Sequence, residues 1–313
     1  MRTSGTRAAH GGSVLCPVDF SDHSRLALEY AAAVAVRRKG RLRTLFVNDP
    51  FLVAAAAAAY NRDALGAASE VELQRFLAST IPARTRRAIT PTCETALGKP
   101  ALEILRAANE GTCDLVVLGT KGLNGAKRLL LGSTTAGVLR RARVPVLAVP
   151  PIDVAHHACV KPGFRWPGRT IVAAIEFGPR AAVDVRKAAG VARAFGTHLV
   201  LVHAVPTPAI PPWLSADVDA HLRQRCAQAE AALDALRKEA GNIPTRVQVR
   251  VGDPPDVIAD IAADCGAGLI VMGLRGKAGL FGEAAGTHAY RVLCRGVAPV
   301  LALPDERQRR LRR

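Results

Sequence analysis

The sequence predicts an α/β protein made of two repeated, doubly wound domains, each with a parallel β-sheet covered by helices on both faces. Strand-like apolar runs alternate with helical patterns along the whole chain, and this alternation is typical of parallel sheets. The same motifs also return at a fixed spacing in the second half of the 313 residues. A chain of this length suits two domains of about 150 residues each.

The repeat is clearest at a buried strand and the glycine-rich loop that follows it. Residues 115–118 lead into a loop whose outer glycines are Gly119 and Gly132, and residues 269–272 lead into one bounded by Gly273 and Gly286. The spacing is constant, since 273 − 119 = 154 and 286 − 132 = 154. The duplication predicts domains at 13–150 and 169–304, a linker at 151–168, a disordered tail at 1–12 and a basic tail at 305–313.

In the first copy, the apolar runs predict strands at 14–18, 42–47, 93–97, 115–118 and 144–149. Helices are predicted at 21–38 with a stop at Gly40, within 51–80 as one or two helices interrupted at Gly66, and from Pro100 to a stop at Gly111. Pro17 is unusual in a central strand, because proline has no N–H to donate to a neighbouring strand.

In the second copy, strands are predicted at 170–175, 199–203, 247–251, 269–272 and 298–303. Helices are predicted at 181–195, from about Val218 to a stop at Gly241, and after Gly252 with Pro254 in the first turn. Strand and helix alternate in the same order as in the first copy. The second domain is therefore expected to have the same fold.

The loop after the fourth strand has the composition of an anion site. Its glycines let backbone amides approach a ligand, and the hydroxyl residues at 133–135 offer N-caps to the next helix. A helix N-terminus favours phosphate, and Lys121, Lys127 and Arg128 add positive charge in the same loop.

The formal charge of +17 raises the question of nucleic-acid binding. Residues 1–150 hold 21 Lys and Arg against 11 Asp and Glu, and residues 151–313 hold 22 against 15, so the excess is spread evenly with no clustered basic face in the sequence. Together with few aromatic residues, this favours a solvated surface. The basic run at 307–313 is predicted to be a frayed end, with a nucleic-acid or membrane tether as the alternative.

The seven cysteines form no C-x-x-C pair and have no histidine partner at zinc spacing. They predict buried thiols in a reducing compartment. The first twelve residues lack the apolar core of a signal peptide, and the longest apolar run, 51–60, is about half a membrane span. A cytoplasmic location and no membrane partner are therefore expected.

Three features together resemble the universal stress protein family. These are a strand ending in Val18-Asp19-Phe20-Ser21, a Gly-x2-Gly-x9-Gly-Ser/Thr loop after the fourth strand, and a closing Val144-Pro145-Val146-Leu147 strand. Over about 13–150 and 169–304, the chain is similar to tandem two-domain members. The resemblance implies Rossmann-like domains with a five-stranded parallel sheet of order 3-2-1-4-5. It also implies ATP, with Mg²⁺, at the switch point between the first and fourth strands.

The resemblance also assigns residues of the first copy to an ATP site. It places Asp19 near the adenine and ribose, and Phe46, Val47 and Asn48 beside the base. It places the phosphates among loop residues, namely Gly119, Lys121, Gly122, Lys127, Gly132, Ser133 and Thr134. A carboxylate can accept hydrogen bonds from a ribose or an adenine amino group, and loop amides can donate to phosphate. The alternative is that the glycines only make turns and Ser133 only caps a helix.

The second copy departs from this pattern. Glu176 stands where the repeat places Asp19, and Glu283 lies inside the second loop, where it opposes phosphate binding. A second nucleotide site would comprise Glu176, His203, Gly273, Arg275, Gly276, Gly286, Thr287 and His288. Whether this copy binds nucleotide stays open at this point.

The expected function is a non-catalytic, ATP-binding stress-response protein whose nucleotide state alters its conformation or its partners. The alternatives are a slow ATPase or adenine-nucleotide hydrolase, and a basic nucleic-acid-associated protein. The sequence has no P-loop and no Gly-x-Gly-x-x-Gly motif, and the first glycine loop has no carboxylate or histidine to act as a base. No metal site formed by protein ligands alone is expected.

The closing strand of each copy is predicted to lie at an edge of its sheet, where unpaired backbone groups seek a partner. Residues 144–149 are therefore expected beside residues 298–303, related by an approximate two-fold axis. This pairing would make the two domains an intramolecular pseudo-dimer. A homodimer of whole chains stays open.

Overall fold

The computed structural model describes residues 11–51, 53–54, 62–110, 113–120, 131–151, 166–207, 218–274 and 287–304. By the density of its internal packing, the chain divides into two compact units, 1–118 and 119–313. In both units strands alternate with helices, as the sequence predicts, and the strands of each repeated copy that pair with one another are parallel.

In the first unit, the strands are β1 (Gly11–Val18), β2 (Gly40–Asn48), β3 (Thr92–Leu97) and β4 (Cys113–Gly119). The helices are α1 (Asp22–Arg38), α2 (Arg62–Thr80), α3 (Ala83–Ile89) and α4 (Pro100–Glu110). The strands are parallel and lie in the order β3-β2-β1-β4, which confirms the predicted order for these four strands.

In the second unit, the strands are β5 (Val146–Val149), β6 (Thr170–Ala174), β7 (His198–Val205), β8 (Thr245–Val251), β9 (Leu269–Leu274) and β10 (Val300–Pro304). The helices are α5 (Ser133–Arg141), α6 (Ala181–Phe195), α7 (Val218–Arg237), α8 (Pro254–Asp264) and α9 (Thr287–Arg295). The strand order β10-β9-β6-β7-β8 confirms the predicted 3-2-1-4-5 order, seen from its other end.

Three helix boundaries differ from the sequence-based expectations. Helix α2 continues through Gly66, whose surroundings have room for a side chain, so this glycine does not interrupt the helix. Helix α1 ends at Arg38, and its C-cap, Lys39, takes the left-handed conformation itself, so that Gly40 already belongs to β2. Helix α3 was not predicted, although Pro82 stands at its N-cap, a position that needs no donated N–H.

Strands β5 and β10 pair antiparallel, which confirms the predicted contact between the two closing strands. Val146, Leu147 and Ala148 pair with Ala302, Leu301 and Val300 respectively. The central pair joins residues that are equivalent in the repeat, since 301 − 147 = 154. This strand pair therefore has its own local two-fold symmetry, and its backbone groups are satisfied within the chain.

The described cysteines are free thiols, and two of them are buried: Cys16 and Cys113. Cys93, Cys226, Cys265 and Cys294 are only half-buried, so the expectation of uniformly buried thiols is wrong for them, and Cys159 lies outside the described residues. Burial raises the pKa of the Cys16 thiol. Burial also raises the pKa of Cys113, against a smaller opposing effect of backbone hydrogen bonds.

This burial makes stability depend on pH in the alkaline range. In the unfolded chain a thiol ionises near pH 8.5, whereas the buried thiols stay protonated, so the unfolded state loses protons first as the pH rises. We expect the free energy of unfolding to fall above about pH 8.5, by up to ~1.4 kcal/mol per pH unit for each thiol. Urea unfolding at a series of pH values measures this free energy. A Cys16→Ala/Cys113→Ala chain should show a shallower fall, and an unchanged slope would contradict this assignment.

Candidate functional site

A polar network fixes the first acidic residue after β1. Asp19 is half-buried, and its Oδ1 accepts hydrogen bonds from the Ser21 amide at 3.2 Å and the Ser21 hydroxyl at 2.5 Å. Ser21 is the N-cap of α1, where its Oγ accepts from the Ser24 amide at 3.2 Å. Asp19 therefore has a structural role at the helix start, and the network sets the direction in which its carboxylate points.

An aromatic cluster lies beside this carboxylate. The Phe20 ring packs on Phe46 with 4.5 Å between ring centroids, and it meets Phe76 edge-on at 5.5 Å. The guanidinium of Arg25 lies 4.5 Å from the centre of the Phe76 ring. Phe20 has a φ of 63°, an unfavourable backbone conformation for a bulky residue. The surrounding rings hold it there, and such strained residues concentrate at functional sites.

The three residues predicted to border the base lie at the carboxyl end of β2, next to the end of β1. Phe46, Val47 and Asn48 are all half-buried. The Asn48 side-chain oxygen accepts from the Ser69 hydroxyl at 2.9 Å, and its backbone oxygen accepts from the Gly98 amide at 3.1 Å. Asn48 therefore ties β2 to α2 and to the end of β3, which sequence alone does not reveal.

The hydrogen-bond ladder between β1 and β4 stops before either strand ends. Their pairing runs from Ser13 to Leu15, whereas β1 stays paired with β2 as far as Val18. Pro17 explains the difference, because it lacks the N–H that would continue the ladder. The ends of two adjacent parallel strands on which the chain order reverses form a switch point, where α/β sheets bind ligands. In the first copy this switch point begins two residues before β1 ends.

Hydrogen bonds hold together the two ends of the first glycine loop. The Thr120 amide donates to the Val149 oxygen at 3.0 Å, and the Thr120 oxygen accepts from the Gly132 amide at 2.8 Å. The Thr135 hydroxyl donates to the Gly119 oxygen at 2.7 Å. The loop therefore leaves β4 and returns to α5 at almost the same place. Its residues 121–130, including Lys121, Gly122 and Lys127, lie outside the described part of the chain.

The expectation that hydroxyl side chains at 133–135 cap α5 is wrong. The N-cap is Gly132, in an extended conformation, and it makes no side-chain capping bond. Thr135 is buried and directs its hydroxyl back to β4. Ser133 is exposed and Thr134 half-exposed in the first turn of the helix. The amides of this turn have no capping side chain on Gly132, which leaves them suited to an anion.

The second copy keeps its equivalent strands fully paired. Strand β6 pairs with β9 from Ile171 to Ala174. Over the first two strands the copies are offset by 157 residues rather than the 154 of the glycine loops, since 176 − 19 = 157, so the copy of Pro17 is Ala174. Glu176 follows β6 and is exposed, unlike the half-buried Asp19. The two switch points therefore differ in how far their central strands are joined and in how deeply their acidic residue lies.

The second copy retains an aromatic stack at the same place. The Phe177 ring lies 4.1 Å from the His203 ring with a tilt of 34°, close to the 31° tilt of Phe20 on Phe46. Both residues of the pair are shifted by one offset, since 177 − 20 = 157 and 203 − 46 = 157. His203 Nδ1 lies 2.9 Å from the Ile175 oxygen. The signal that could have found this pair is the phenylalanine after each acidic residue.

The structure describes only part of the other predicted residues of the second site. Gly273 is half-buried near the end of β9, Thr287 begins α9 and His288 is exposed in its first turn. Arg275, Gly276 and Gly286 lie outside the described residues. Glu176 follows β6, and His203 lies in the adjacent strand β7. Gly273 lies in β9, which pairs with β6 on its other side.

Two features are absent from the residues that the structure describes. No group of three or more His, Cys, Asp or Glu side chains is arranged to hold a metal ion. No helix is long and apolar enough to cross a membrane.

Comparison with known proteins gives one consistent family. The family model described as "Universal stress protein family" matches residues 12–150 and again residues 168–304. A universal stress protein of Mycolicibacterium smegmatis is 24% identical over 296 residues, which cover 93% of this chain and 96% of that protein. Universal stress protein MJ0531 of Methanocaldococcus jannaschii is 30% identical over 138 residues, 44% of this chain and 80% of that protein.

Solved structures agree on the fold. The crystal structure of a universal stress protein from Archaeoglobus fulgidus superposes with a TM-score of 0.65 at 22% identity, covering 94% of this chain and 98% of that one. A structure described as a universal stress protein from Pseudomonas aeruginosa gives a TM-score of 0.62 at 18% identity, with 95% and 94% coverage. At these identities the likeness concerns the fold alone.

Proposed function

Because the chain belongs to the universal stress protein family, with one family match in each half, we propose that it binds ATP without turning it over and that its first copy is the stronger site. The observation that carries this proposal is the early end of the β1–β4 ladder, at Leu15, in the strand that leads to Asp19. Nucleosides bind at switch points of this kind, and a ladder that stops early supports a site here, where a polar acceptor and half-buried apolar side chains adjoin.

The contacts available to the nucleoside follow from the described side chains. Asp19 Oδ1 accepts from Ser21, and a carboxylate can accept several hydrogen bonds at once, so we expect it to accept from ribose hydroxyls alongside its partners within the chain. Phe46 and Val47 supply half-buried apolar surface for the base. Asp19 is held at the start of α1, and Phe46 is packed on Phe20. Binding would therefore cost these side chains little conformational entropy.

The phosphates would extend toward the glycine loop and the start of α5. Lys121, Lys127 and Arg128 give the first loop a formal charge of +3, whereas Arg275, Lys277 and Glu283 give the second +1. Two fewer net charges beside a triphosphate weaken binding by about 1 to 2 kcal/mol in a partly solvated loop, roughly tenfold in affinity. Mg²⁺ would enter with the nucleotide, because this ion usually keeps several waters and binds through substrate phosphates.

The direct test is to denature the purified protein and identify any released nucleotide, then to titrate nucleotide-free protein with ATP and Mg²⁺ in a calorimeter. We expect one tight site per chain and no phosphate release above the spontaneous rate. Steady phosphate release would support the hydrolase alternative instead. Absence of binding at millimolar ATP would reject the proposal.

Pro17→Ala is expected to weaken ATP binding by about fivefold. Alanine restores an N–H, so β1 can pair with β4 to its end as β6 does with β9, and the ligand must then break about 1 kcal/mol of hydrogen bonding to enter. Calorimetry measures the affinity, and hydrogen exchange at residue 17 and its neighbours reports the new pairing. Pro82→Ala at the start of α3 is the matched control. If the β1–β4 pairing extended and the ATP affinity did not change, the early end of this ladder would not contribute to ATP binding.

A further inference from the structure

The fold of the first unit brings together two basic segments that are distant in sequence. Helix α1 ends at Arg38 and feeds β2, and helix α3 ends at Ile89 and feeds β3. Strands β2 and β3 are adjacent, with Arg43 opposite Thr92, and α3 packs against α1. Both helix ends therefore lie at the amino-terminal edge of the sheet, about one strand spacing apart where the chain enters it.

These ends carry a dense set of cations, which we name the amino-edge surface. Its members are Arg37, Arg38, Lys39, Arg41, Arg84, Arg86 and Arg87. All are exposed except Arg86, which is half-buried. The sequence has no Asp or Glu from residue 30 to 43 or from residue 73 to 93. The nearest carboxylate on these strands, Glu94, is engaged by Arg43 in a two-pronged ion pair with both distances at 2.7 Å.

Helix dipoles account for only part of this charge. Basic residues in the last turn of a helix stabilise its dipole. This effect explains four of the cations, namely Arg37, Arg38, Arg86 and Arg87. Lys39 and Arg41 lie beyond the end of α1, and Arg84 lies at the start of α3, where a cation is unfavourable to the dipole. Arg86 Nε is shielded from solvent and has no hydrogen-bond acceptor among the described residues. A shielded donor of this kind calls for a polar partner, which a water or an anion can supply.

The second copy lacks this surface. Ala194, Phe195 and Gly196 stand at the end of α6 where the first copy has Arg37, Arg38 and Lys39. At the end of the next helix, Arg237 pairs with Asp234, and Glu239 pairs with Arg186. The cations are thus a property of one copy, whereas an arginine-rich composition alone would affect both copies equally.

We propose that the amino-edge surface binds the phosphate backbone of nucleic acid without reading its sequence. Six of the seven cations are arginines, whose planar guanidinium groups match phosphate oxygens in pairs. Val36, 43% exposed, is the exposed large apolar side chain within the described parts of these two segments. Amphipathic membrane-binding helices carry several apolar groups that insert, so one exposed valine in these described parts fits a charged polymer better than such a helix. The proposed ATP site lies at the opposite edge of the sheet, so the two proposals are independent.

The test is the fluorescence anisotropy of a labelled mixed-sequence DNA duplex of about 20 base pairs, titrated with the full chain from about 50 to about 200 mM salt. The variant replaces Arg38, Lys39, Arg84 and Arg87 with Gln. We expect its affinity at the lowest salt to fall at least about tenfold and the slope of log K against log salt to become shallower by about 3 to 4. The matched control replaces four exposed arginines of the second unit with Gln, namely Arg169, Arg193, Arg223 and Arg246.

Three outcomes would overturn the proposal. An equal loss in the control variant would mean that only total charge matters. Competition by saturating ATP and Mg²⁺ would place the DNA at the nucleotide loop instead. Binding to vesicles of anionic lipid, with none to DNA under the same conditions, would identify a membrane surface. Circular dichroism of both variants confirms that they are folded, and ATP titration confirms that the nucleotide site is intact in each.

Discussion

Gly132→Val is expected to lower ATP affinity by roughly a hundredfold or more, about 3 kcal/mol, while leaving the fold intact. Gly132 has φ −59° and ψ 144°, a conformation that valine adopts readily, so the change introduces no backbone strain. Its amide can still donate to Thr120. The added side chain would stand at the N-terminus of α5, in the path of a phosphate approaching the amides there. Gly122→Val, in the loop beyond the described residues, is expected to act alike.

Calorimetry measures the affinity, and thermal unfolding measures the fold. Gly190→Val is the matched control, because Gly190 lies within α6 with open space around it and far along the chain from the loop. The control should bind ATP as the parent chain does. If instead the Gly132 and Gly122 variants unfold and their stability loss explains the lost binding, these glycines serve only as turn residues.

Asp19→Asn is expected to weaken the tight ATP site by roughly 10- to 100-fold, whereas Glu176→Gln should leave that site unchanged. Asparagine keeps an oxygen that can accept from Ser21, so the start of α1 is preserved. It loses the charge that strengthens hydrogen bonds from a ribose, worth about 1.5 to 3 kcal/mol. Glutamine makes the same change at the exposed Glu176 in the second copy.

Calorimetric titration of both variants separates the two copies directly. If the Glu176 variant lost the tight phase and the Asp19 variant bound ATP as the parent chain does, the tight site would lie in the second copy and our assignment would be wrong. Equal loss in both variants would indicate two coupled sites rather than one dominant site.

Much of the fold could be predicted because the pattern of apolar residues along a strand or helix indicates which of its faces are buried. The strand at 115–118 is apolar throughout because both of its faces are covered, and the repeat at 154 residues carries that prediction to the strand at 269–272. Helix ends were less predictable. Local sequence favours glycine for left-handed positions, yet Lys39 and Thr90 adopt them to cap α1 and α3.

The sequence proposes residues for the candidate site but does not predict how the fold arranges them. The acidic residue and the glycines follow directly from the motif. The early end of the β1–β4 ladder could be seen only from the pairing of three strands, although the sequence had shown Pro17 to be unusual there. The stack of Phe20 on Phe46 and the assembly of the amino-edge surface join residues that are distant in sequence. No local pattern contains such contacts.

The antiparallel ladder between β5 and β10 also has an evolutionary consequence. Two separate chains that met through such strands would fall apart on dilution, whereas here the effective concentration of one strand for the other is set by the chain that links them. A homodimer built through the same edge must carry two identical halves. Because the linked halves always pair one to one, mutations could accumulate in each independently. The first copy has Asp19 where the second has Glu176, and Pro17 where the second has Ala174, and a pair of unlike halves can retain such differences.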